Sequence, residues 1–528
     1  MPIWRADSMS AAEGWTRRGT IGALGAVLAA TPAMAARTGV VRAPAGDLAG
    51  DRDGGVLAFR GIRYGRAERF RAPVAVRQPG RTVAARAFGP VAPQKATGLG
   101  PQSEDCLFLN VWTAEADPRA KKPVLLYIHG GAYSGGTSTD PMNDGRRLAA
   151  RGDCVVVTVN HRLNAFGYLY LARFDPRFAD SGNAGQLDLI LALQWVRENI
   201  AAFGGDPERV MVFGQSGGGA KIATMMGMPA AAGLFHRAAT MSGQQVTASG
   251  PMNATARARA YLAKLGLDEN RLDALLTLPT GRLVEALAAT DPVLGGGVYF
   301  GPVLDMKWLV RHPFWPDANP QSRAIPMMLG NTAGETRGFI DPHGAKMQGL
   351  DWRNLAERMA PELKIDLLPE WVVAQYRAQY PDWTPAQVFY GATTAGRSWR
   401  GQVIEAEARA AAGGPGWVYQ LDFGSRTDPA RGAFHTMDIP LVFGTLDAPG
   451  SQTGTAADAR GVSRAMQERF VAFATTGDPN KAGMAAWPRY ELAGRHTMLF
   501  DTESRVVADP RRWERELFAR VPYIQPGT

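Results

Sequence analysis

The chain has 528 residues, of which 45% are hydrophobic and 20% are charged. This composition excludes an intrinsically disordered chain, collagen and a coiled coil, and a chain of this length can bury a large core. The formal net charge is +9, but the 58 basic residues are interspersed with 49 acidic ones and form no run of five, so nucleic-acid binding is not expected.

The first predicted element is an export signal in residues 1–35. Arg17 and Arg18 precede an apolar stretch at 21–30, and the sequence AMA at 33–35 has the small-x-small form of a cleavage site. The arginine pair before a Gly- and Ala-rich core resembles a twin-arginine signal. Because a membrane span needs about 20 apolar residues, this run predicts a cleaved signal peptide, not a stable membrane anchor. We expect a periplasmic or extracellular protein, with Met9 as an alternative start.

Three runs of branched apolar residues predict buried parallel strands, at 124–128, 154–159 and 210–213. Between the second and third runs, the apolar spacing is that of one helix face, set by Leu189, Leu193, Val196, Ile200 and Phe203. A strand, a helix and a strand in this order predict a right-handed crossover in a doubly wound α/β sheet.

The rest of the chain adds two predicted strands, at 326–329 and 417–421, and two long helical stretches, at 252–290 and 352–412. In an α/β protein such stretches are insertions that form a cap over the strand ends. No internal repeat and no long linker is present, so we expect one domain over residues 36–528.

A nucleophile elbow is predicted at 214–218, where the sequence GQSGG has the form GxSxG between a strand and a helical segment at 220–228. The flanking glycines permit a tight, strained turn that exposes the Ser216 hydroxyl. A serine hydroxyl is a weak nucleophile without a base and without donors for the oxyanion that forms. The neighbourhood of Ser216 must therefore supply both.

An oxyanion hole is predicted in the sequence HGGA at 129–132, which follows the first strand. The backbone N–H groups of Gly131 and Ala132, with that of Gly217 beside the nucleophile, can bind a developing negative charge. A phosphate-binding loop is the alternative, but the spacing fits neither GxGxxG nor GxxxxGK[ST]. No cysteine and histidine cluster indicates a metal, and no cofactor is expected.

The base and the acid are expected to follow Ser216 in the chain, because the order in this type of fold is serine, acid, histidine. Of the five histidines that follow, His435 lies in the loop after the strand at 417–421. Glu335 follows the strand at 326–329 and would orient the imidazole. By position alone, Asp305 and Asp341 remain alternatives to Glu335.

Short motifs run in order through nearly the whole chain after residue 36. They are FRGI (59–62), RF (69–70), SEDCLFLN (103–110), NHRL (160–163), GNAGQLD (182–188), NIAAFGGDP (199–207), VFG (442–444) and GDPN (477–480). With the segments around Ser216, Glu335 and His435, they resemble the type-B carboxylesterase family, which includes cholinesterases and bacterial para-nitrobenzyl-type esterases. The resemblance implies an α/β-hydrolase fold and an exported serine carboxylesterase that acts on a small-molecule ester, with Ser216 as nucleophile, Glu335 as acid and His435 as base.

The resemblance also implies supporting roles. Arg69 with Glu104, and Arg162 with Asp188, match structural ion pairs of the family. Ser242 matches a serine close to the triad, where a supporting hydrogen bond is expected.

This sequence departs from the family at three places. Gln215 stands where many relatives have Glu beside the nucleophile. Residues 93–105 lack the Trp with which cholinesterases hold a quaternary ammonium, which argues against choline esters. Cys106 lacks its family partner, so Cys106 and Cys154 are expected to be free thiols.

The expected pocket is mostly apolar, with Tyr133, Tyr299 and Phe300 in its wall. Aromatic walls favour short or flat acyl groups, although the positive net charge leaves an anionic ester open. Two alternatives remain, which are a binding or adhesion module without catalysis and a lipase that acts on longer acyl chains.

Overall fold

The computed structural model describes residues 39–525 and Gly527. The predicted export signal at 1–35 lies outside these residues. The strands, in chain order, are β1 (Gly39–Ala43), β2 (Gly46–Asp53), β3 (Val56–Arg63), β4 (Gly65–Arg66), β5 (Val74–Ala75), β6 (Thr82–Ala84), β7 (Phe108–Thr113), β8 (Lys122–Ile128), β9 (Val155–Val159), β10 (Gly205–Gln215), β11 (Arg237–Met241), β12 (Met327–Thr332), β13 (Gly416–Leu421), β14 (His496–Phe500) and β15 (Arg505–Ala508).

The α-helices follow the same numbering. They are α1 (Arg146–Gly152), α2 (Asn164–Tyr168), α3 (Ala184–Asn199), α4 (Gly217–Met225), α5 (Pro251–Lys264), α6 (Asp273–Thr277), α7 (Thr280–Glu285), α8 (Leu355–Leu363), α9 (Pro369–Gln379), α10 (Pro385–Thr394), α11 (Arg400–Ala411), α12 (Asp438–Phe443), α13 (Ala457–Thr476) and α14 (Arg512–Phe518).

In the described part of the chain, one sheet of thirteen strands has the order β1-β2-β3-β7-β9-β8-β10-β11-β12-β13-β14-β15, with β6 beside β2. The strands from β9 to β14 in this order are parallel, and the pairs at both ends are antiparallel. The predicted doubly wound sheet is therefore confirmed at its centre, while its edges make it a mixed sheet.

Strand β8 shows how helices cover both faces of the sheet, because alternate side chains of a strand point to opposite sides. Val124 and Ile128 pack in one core cluster with Leu193 of α3. Leu125 packs on the other face in a cluster with Phe470 of α13. Burial on both faces explains why the central strands are continuous apolar runs.

The helix predicted from the apolar spacing is α3, but it ends before the last two residues of the predicted apolar face, Ile200 and Phe203. The α-helix ends at Asn199, and a 3₁₀ turn at Ile200–Phe203 completes the apolar face. Gly204 then adopts a φ of 84°, the left-handed conformation that commonly ends a helix.

The two long helical stretches contribute to two further hydrophobic clusters, which also include residues from other parts of the chain. The first holds α5 to α7, where Tyr261 and Leu283 are buried. The second holds α8 to α11, with a π-helical turn at Ala395–Trp399 and with Tyr376 buried. Across residues 39–525, none of the helices combines the length and the apolar character that a membrane span requires.

Candidate active site

Ser216 lies at the sharp turn between β10 and α4, with φ 55° and ψ −124°. A positive φ is uncommon for a residue other than glycine and is the strained conformation expected of a nucleophile elbow. A Cβ atom at Gly217 would lie 2.1 Å from the carbonyl oxygen of Ala132, and one at Gly218 would lie 1.9 Å from that of Ile128. Glycine at both positions therefore allows α4 to begin directly against the end of β8.

Glu335 and His435 come together from the segments that follow the neighbouring parallel strands β12 and β13. The two segments are joined where the backbone N–H of Gly334 donates to the carbonyl oxygen of Ala433 over 2.9 Å. Nδ1 of His435 and Oε2 of Glu335 form a hydrogen bond. When the carboxylate is ionised, the proton of this bond is on Nδ1, which leaves Nε2 free to accept a proton.

Asp305 and Asp341, the two alternatives for the acid of the triad, contact other residues than His435. Asp305 accepts hydrogen bonds from the backbone N–H of Lys307 at 3.0 Å and from the Asn183 amide at 2.8 Å. Asp341 lies 3.4 Å from a guanidinium nitrogen of Arg431. The histidine partner is therefore Glu335.

The Glu335 carboxylate is fully buried and is held by three donors besides the imidazole. Its Oε1 accepts hydrogen bonds from the Ser242 hydroxyl at 2.5 Å, the Thr332 backbone N–H at 2.7 Å and the Asn331 amide at 3.2 Å. Burial by itself raises the pKa of Glu335, but the charge and hydrogen bond of His435, with these donors, hold the pKa below its usual range. Ser242 thus contacts the acid, not the base.

The loop that follows β8 presents the predicted oxyanion donors. Gly131 and Ala132 have φ angles of 89° and 52°. Both line a cavity of about 490 Å³ together with Ser216, Gly217 and His435. The three backbone N–H groups that the sequence analysis selected therefore belong to residues around the same space as the candidate nucleophile.

A buried lysine of α4, which the sequence analysis missed, contacts this loop. Nζ of Lys221 donates to the carbonyl oxygens of Ala132 at 2.7 Å and of His129 at 3.4 Å. Among the described residues, no carboxylate forms an ion pair with it, and burial lowers the pKa of Lys221 to about 7. The available signal was a lysine in a helix of otherwise small and apolar residues, just after the nucleophile.

Two of the three predicted pocket residues line the cavity. Tyr133 and Tyr299 do so, with ring centroids 6.4 Å apart, and the Tyr133 hydroxyl donates to the Gln245 amide oxygen at 2.8 Å. Phe300 does not line this cavity but a neighbouring one, which shares Gly131 and Tyr299 with it. Its ring packs edge to face on Tyr261, 5.5 Å away, which turns it towards the helices of the first stretch and a neighbouring cavity.

The cavity also carries several polar side chains. Its lining includes four glutamines and one arginine, which are Gln215, Gln244, Gln245, Gln525 and Arg397. The side-chain amide nitrogen of Gln215 lies 3.3 Å from Nε2 of His435. The residue that departs from the family pattern therefore stands directly beside the nitrogen that would act as base.

The ion pairs that the resemblance implies are present. Arg69 and Glu104 lie 2.6 Å apart, as do Arg162 and the fully buried Asp188. Neither carboxylate lines the cavity of Ser216. The Arg162–Asp188 pair is buried and would be costly to break one partner at a time, whereas the Arg69–Glu104 pair is only partly buried.

The two cysteines are free and buried. Burial raises the pKa of Cys154 to about 12 and that of Cys106 still further, so both thiols stay protonated near neutral pH. Within residues 39–525, no group of three or more His, Cys, Asp and Glu side chains is placed to hold a metal ion.

Comparison with known proteins gives the same result along nearly the whole chain. The model of the Carboxylesterase family matches residues 32–517. The chain is 34% identical to the para-nitrobenzyl esterase of Bacillus subtilis (strain 168) over 504 residues, which cover 90% of this chain and 98% of the relative. It is 30% identical to the phenmedipham hydrolase of Pseudarthrobacter oxydans over 505 residues, covering 89% and 96%.

A solved structure shares the fold. A carboxylesterase of Geobacillus stearothermophilus at pH 6.2 superposes with a TM-score of 0.81 at 34% identity, over 91% of this chain and 99% of that one. This likeness confirms the predicted α/β-hydrolase fold.

Proposed function

Because the chain belongs to the carboxylesterase family and is a carboxylic ester hydrolase, we propose that it cleaves esters through an acyl-enzyme on Ser216. In this mechanism, Nε2 of His435 takes the hydroxyl proton as the oxygen of Ser216 attacks the ester carbonyl. The N–H groups of Gly131, Ala132 and Gly217 bind the oxyanion of the tetrahedral intermediate.

The intermediate then collapses, and the bond to the alcohol oxygen breaks. The alcohol leaves with the proton that His435 holds. Water next attacks the acyl carbonyl and gives a proton to His435. The bond between the acyl carbon and the Ser216 oxygen then breaks, His435 returns the proton to that oxygen, and the acid leaves. The sum is one ester and one water converted to one acid and one alcohol, and Glu335 stabilises the imidazolium in both halves.

One observation carries this proposal. Ser216 at its strained turn and His435, hydrogen-bonded to the buried Glu335, line the same cavity as the loop with Gly131 and Ala132. A nucleophile, a base, an acid that orients the base and oxyanion donors are the parts that acyl transfer requires.

Turnover of simple esters, followed as acid release in a pH-stat, tests the proposal. Ser216→Ala and His435→Ala should each lower kcat by several orders of magnitude, and the double variant should lose little more, because the two residues act as one unit. Ser463→Ala is the matched control, since that buried serine of α13 donates to the Leu441 carbonyl outside the cavity. Additive losses in the double variant would contradict the shared role.

We also propose that the protein is exported through the signal predicted at 1–35. Replacement of Arg17 and Arg18 by lysine should retain the full-length chain inside the cell if the twin-arginine route is used. The fractionation of esterase activity between cytoplasm and periplasm measures this. Unchanged distribution would contradict the twin-arginine assignment.

A further inference from the structure

The cavity of Ser216 and His435 is lined by one permanently charged side chain, Arg397, and by no carboxylate, among the described residues. Arg397 lies in the π-helical turn Ala395–Trp399 between α10 and α11. Turns of this type are rare and occur often at functional sites. The charge is therefore a feature of the pocket itself, which composition alone does not show.

The position of the guanidinium relative to the reacting groups follows from two ring contacts. Cζ of Arg397 lies 4.3 Å from the ring centre of Phe339, and that ring lies 4.5 Å from the imidazole of His435. One aromatic ring thus separates the guanidinium from the proposed base. A group bound by Arg397 would be only a few bonds from an ester carbonyl at Ser216.

The charge of Arg397 is only partly neutralised. Its nearest carboxylate is that of Glu362, at 3.6 Å, and the same carboxylate binds Nζ of Lys346 at 2.5 Å. The three side chains together carry one net positive charge. Between residues 39 and 525, the guanidinium donates no hydrogen bond, and the side chain is 30% exposed. Guanidinium N–H groups that line a cavity and donate no hydrogen bond within the described residues are well suited to a carboxylate, which they bind through two parallel hydrogen bonds.

We infer that the pocket selects esters that carry a free carboxylate, such as monoesters of dicarboxylic acids, and that Arg397 binds this carboxylate. The inference rests on the proposed hydrolysis at Ser216 and adds the substrate class. The amide nitrogens of Gln245 and Gln525 already donate to the carbonyl oxygens of Thr247 and Gln244, so the inference rests on Arg397. Arg397 is thus a specificity residue and takes no part in the bond-breaking steps.

Two matched ester series test the inference. Monomethyl esters of the dicarboxylic acids from succinic to suberic acid are compared with methyl esters of monocarboxylic acids of equal chain length, by pH-stat. A second pair, 4-acetoxybenzoate and 4-acetoxybenzamide, places the carboxylate on the alcohol side. In at least one pair, the charged ester should have a kcat/KM at least tenfold above that of its neutral partner.

Variants assign the preference to Arg397. Arg397→Met should lower the ratio of charged to neutral kcat/KM by about 10- to 100-fold, as expected for the loss of a charge-assisted pair. Arg397→Lys keeps the charge without the planar fork and should lower the ratio less. Arg377→Met is the control, because Arg377 stacks on Trp352 at 4.5 Å outside the cavity and should leave the ratio unchanged.

The outcomes separate this inference from the proposed function. Equal turnover of charged and neutral esters, or an Arg397→Met ratio equal to that of the wild type, would overturn the carboxylate preference and leave ester hydrolysis intact. Failure to hydrolyse any ester, with Ser216 inert to a phosphonate, would overturn the proposed function and the inference with it.

Discussion

The buried ammonium of Lys221 donates a hydrogen bond over 2.7 Å to the carbonyl oxygen of Ala132. This bond joins α4, which begins at the nucleophile, to the loop with two of the three proposed oxyanion donors. It fixes the backbone of the loop relative to Ser216. Because burial lowers the pKa of Lys221 to about 7, the side chain places a cation near the proposed oxyanion donors in its protonated form. Preorganised donors of this kind are a large contribution to catalysis of acyl transfer.

Removal of the ammonium should therefore slow the chemical step. Lys221→Met should lower kcat by about 10- to 100-fold with a small change in KM, since the loop acts on the transition state more than on the bound ester. Steady-state kinetics on a neutral short-chain ester measures the split. Lys264→Met at the end of α5 is the control. A variant that loses thermal stability but keeps kcat would show that Lys221 is purely structural.

The second prediction concerns Glu335, the proposed acid of the triad. Glu335→Gln should lower kcat by about 10²- to 10⁴-fold, because a neutral amide neither stabilises the imidazolium nor fixes its tautomer. Asp341→Asn makes the same change in a side chain that contacts Arg431 and should keep wild-type turnover. If instead Asp341→Asn abolished turnover and Glu335→Gln did not, the acid would be misassigned.

Glu405 of α11 predicts a pH dependence of stability. It is fully buried, one oxygen accepts the Gln245 backbone N–H at 2.6 Å, and the other has no partner among the described residues. Burial raises the pKa of Glu405 to about 8. A raised folded-state pKa contributes stability that is fully present below the unfolded pKa of about 4.3 and is lost as the pH rises through 8.

Glu405→Gln removes this titration. The variant should gain stability over the wild type as the pH rises from about 4 to 8, by a few kcal/mol at most. Urea unfolding at pH 5 and pH 8 measures the difference. Glu357→Gln, at an exposed position of α8, controls for the loss of one charge. A gain for Glu405→Gln that is equal at both pH values would contradict the assignment.

The size of the cavity predicts the acyl-chain profile. With about 490 Å³ bounded by Tyr133 and Tyr299, short-chain and aromatic esters should be turned over well. Beyond roughly eight acyl carbons, kcat/KM should fall gradually, because one methylene group is worth only about 1–3 kcal/mol in such a pocket. A nitrophenyl ester series from acetate to palmitate measures this. Preference for long-chain triglycerides with activation at an oil interface would indicate a lipase.

Local signals predicted the centre of the fold, because buried parallel strands such as β8 and β9 are unbroken apolar runs. They did not predict β1, β2 or β11. β1 and β2 mix glycine and charged residues with apolar ones at the sheet edge, and β11 is a short run, RAATM, with small side chains.

Some residues of the candidate site could likewise be predicted from the sequence, and others could not. Chain order after the strands selected Ser216 and His435, because strand ends meet at one edge of a parallel sheet. It left Glu335, Asp305 and Asp341 open as the acid, and only the family resemblance separated them.

Chain order could not predict the roles of Lys221 and Arg397. The role of Lys221 depends on the carbonyl groups that the fold places beside it, and that of Arg397 depends on the cavity that it lines. The polar character of the pocket likewise comes from side chains far apart in sequence.

The central claim is that Ser216 is an activated nucleophile. The direct measurement is incubation of the folded protein with a fluorophosphonate, followed by mass spectrometry of the tryptic peptide 210–221. We expect one covalent adduct on Ser216, absent in Ser216→Ala and in the unfolded protein, and loss of ester turnover in proportion to labelling. A folded protein that remains unlabelled at Ser216 would contradict the mechanism and favour a binding module that keeps the fold without the chemistry.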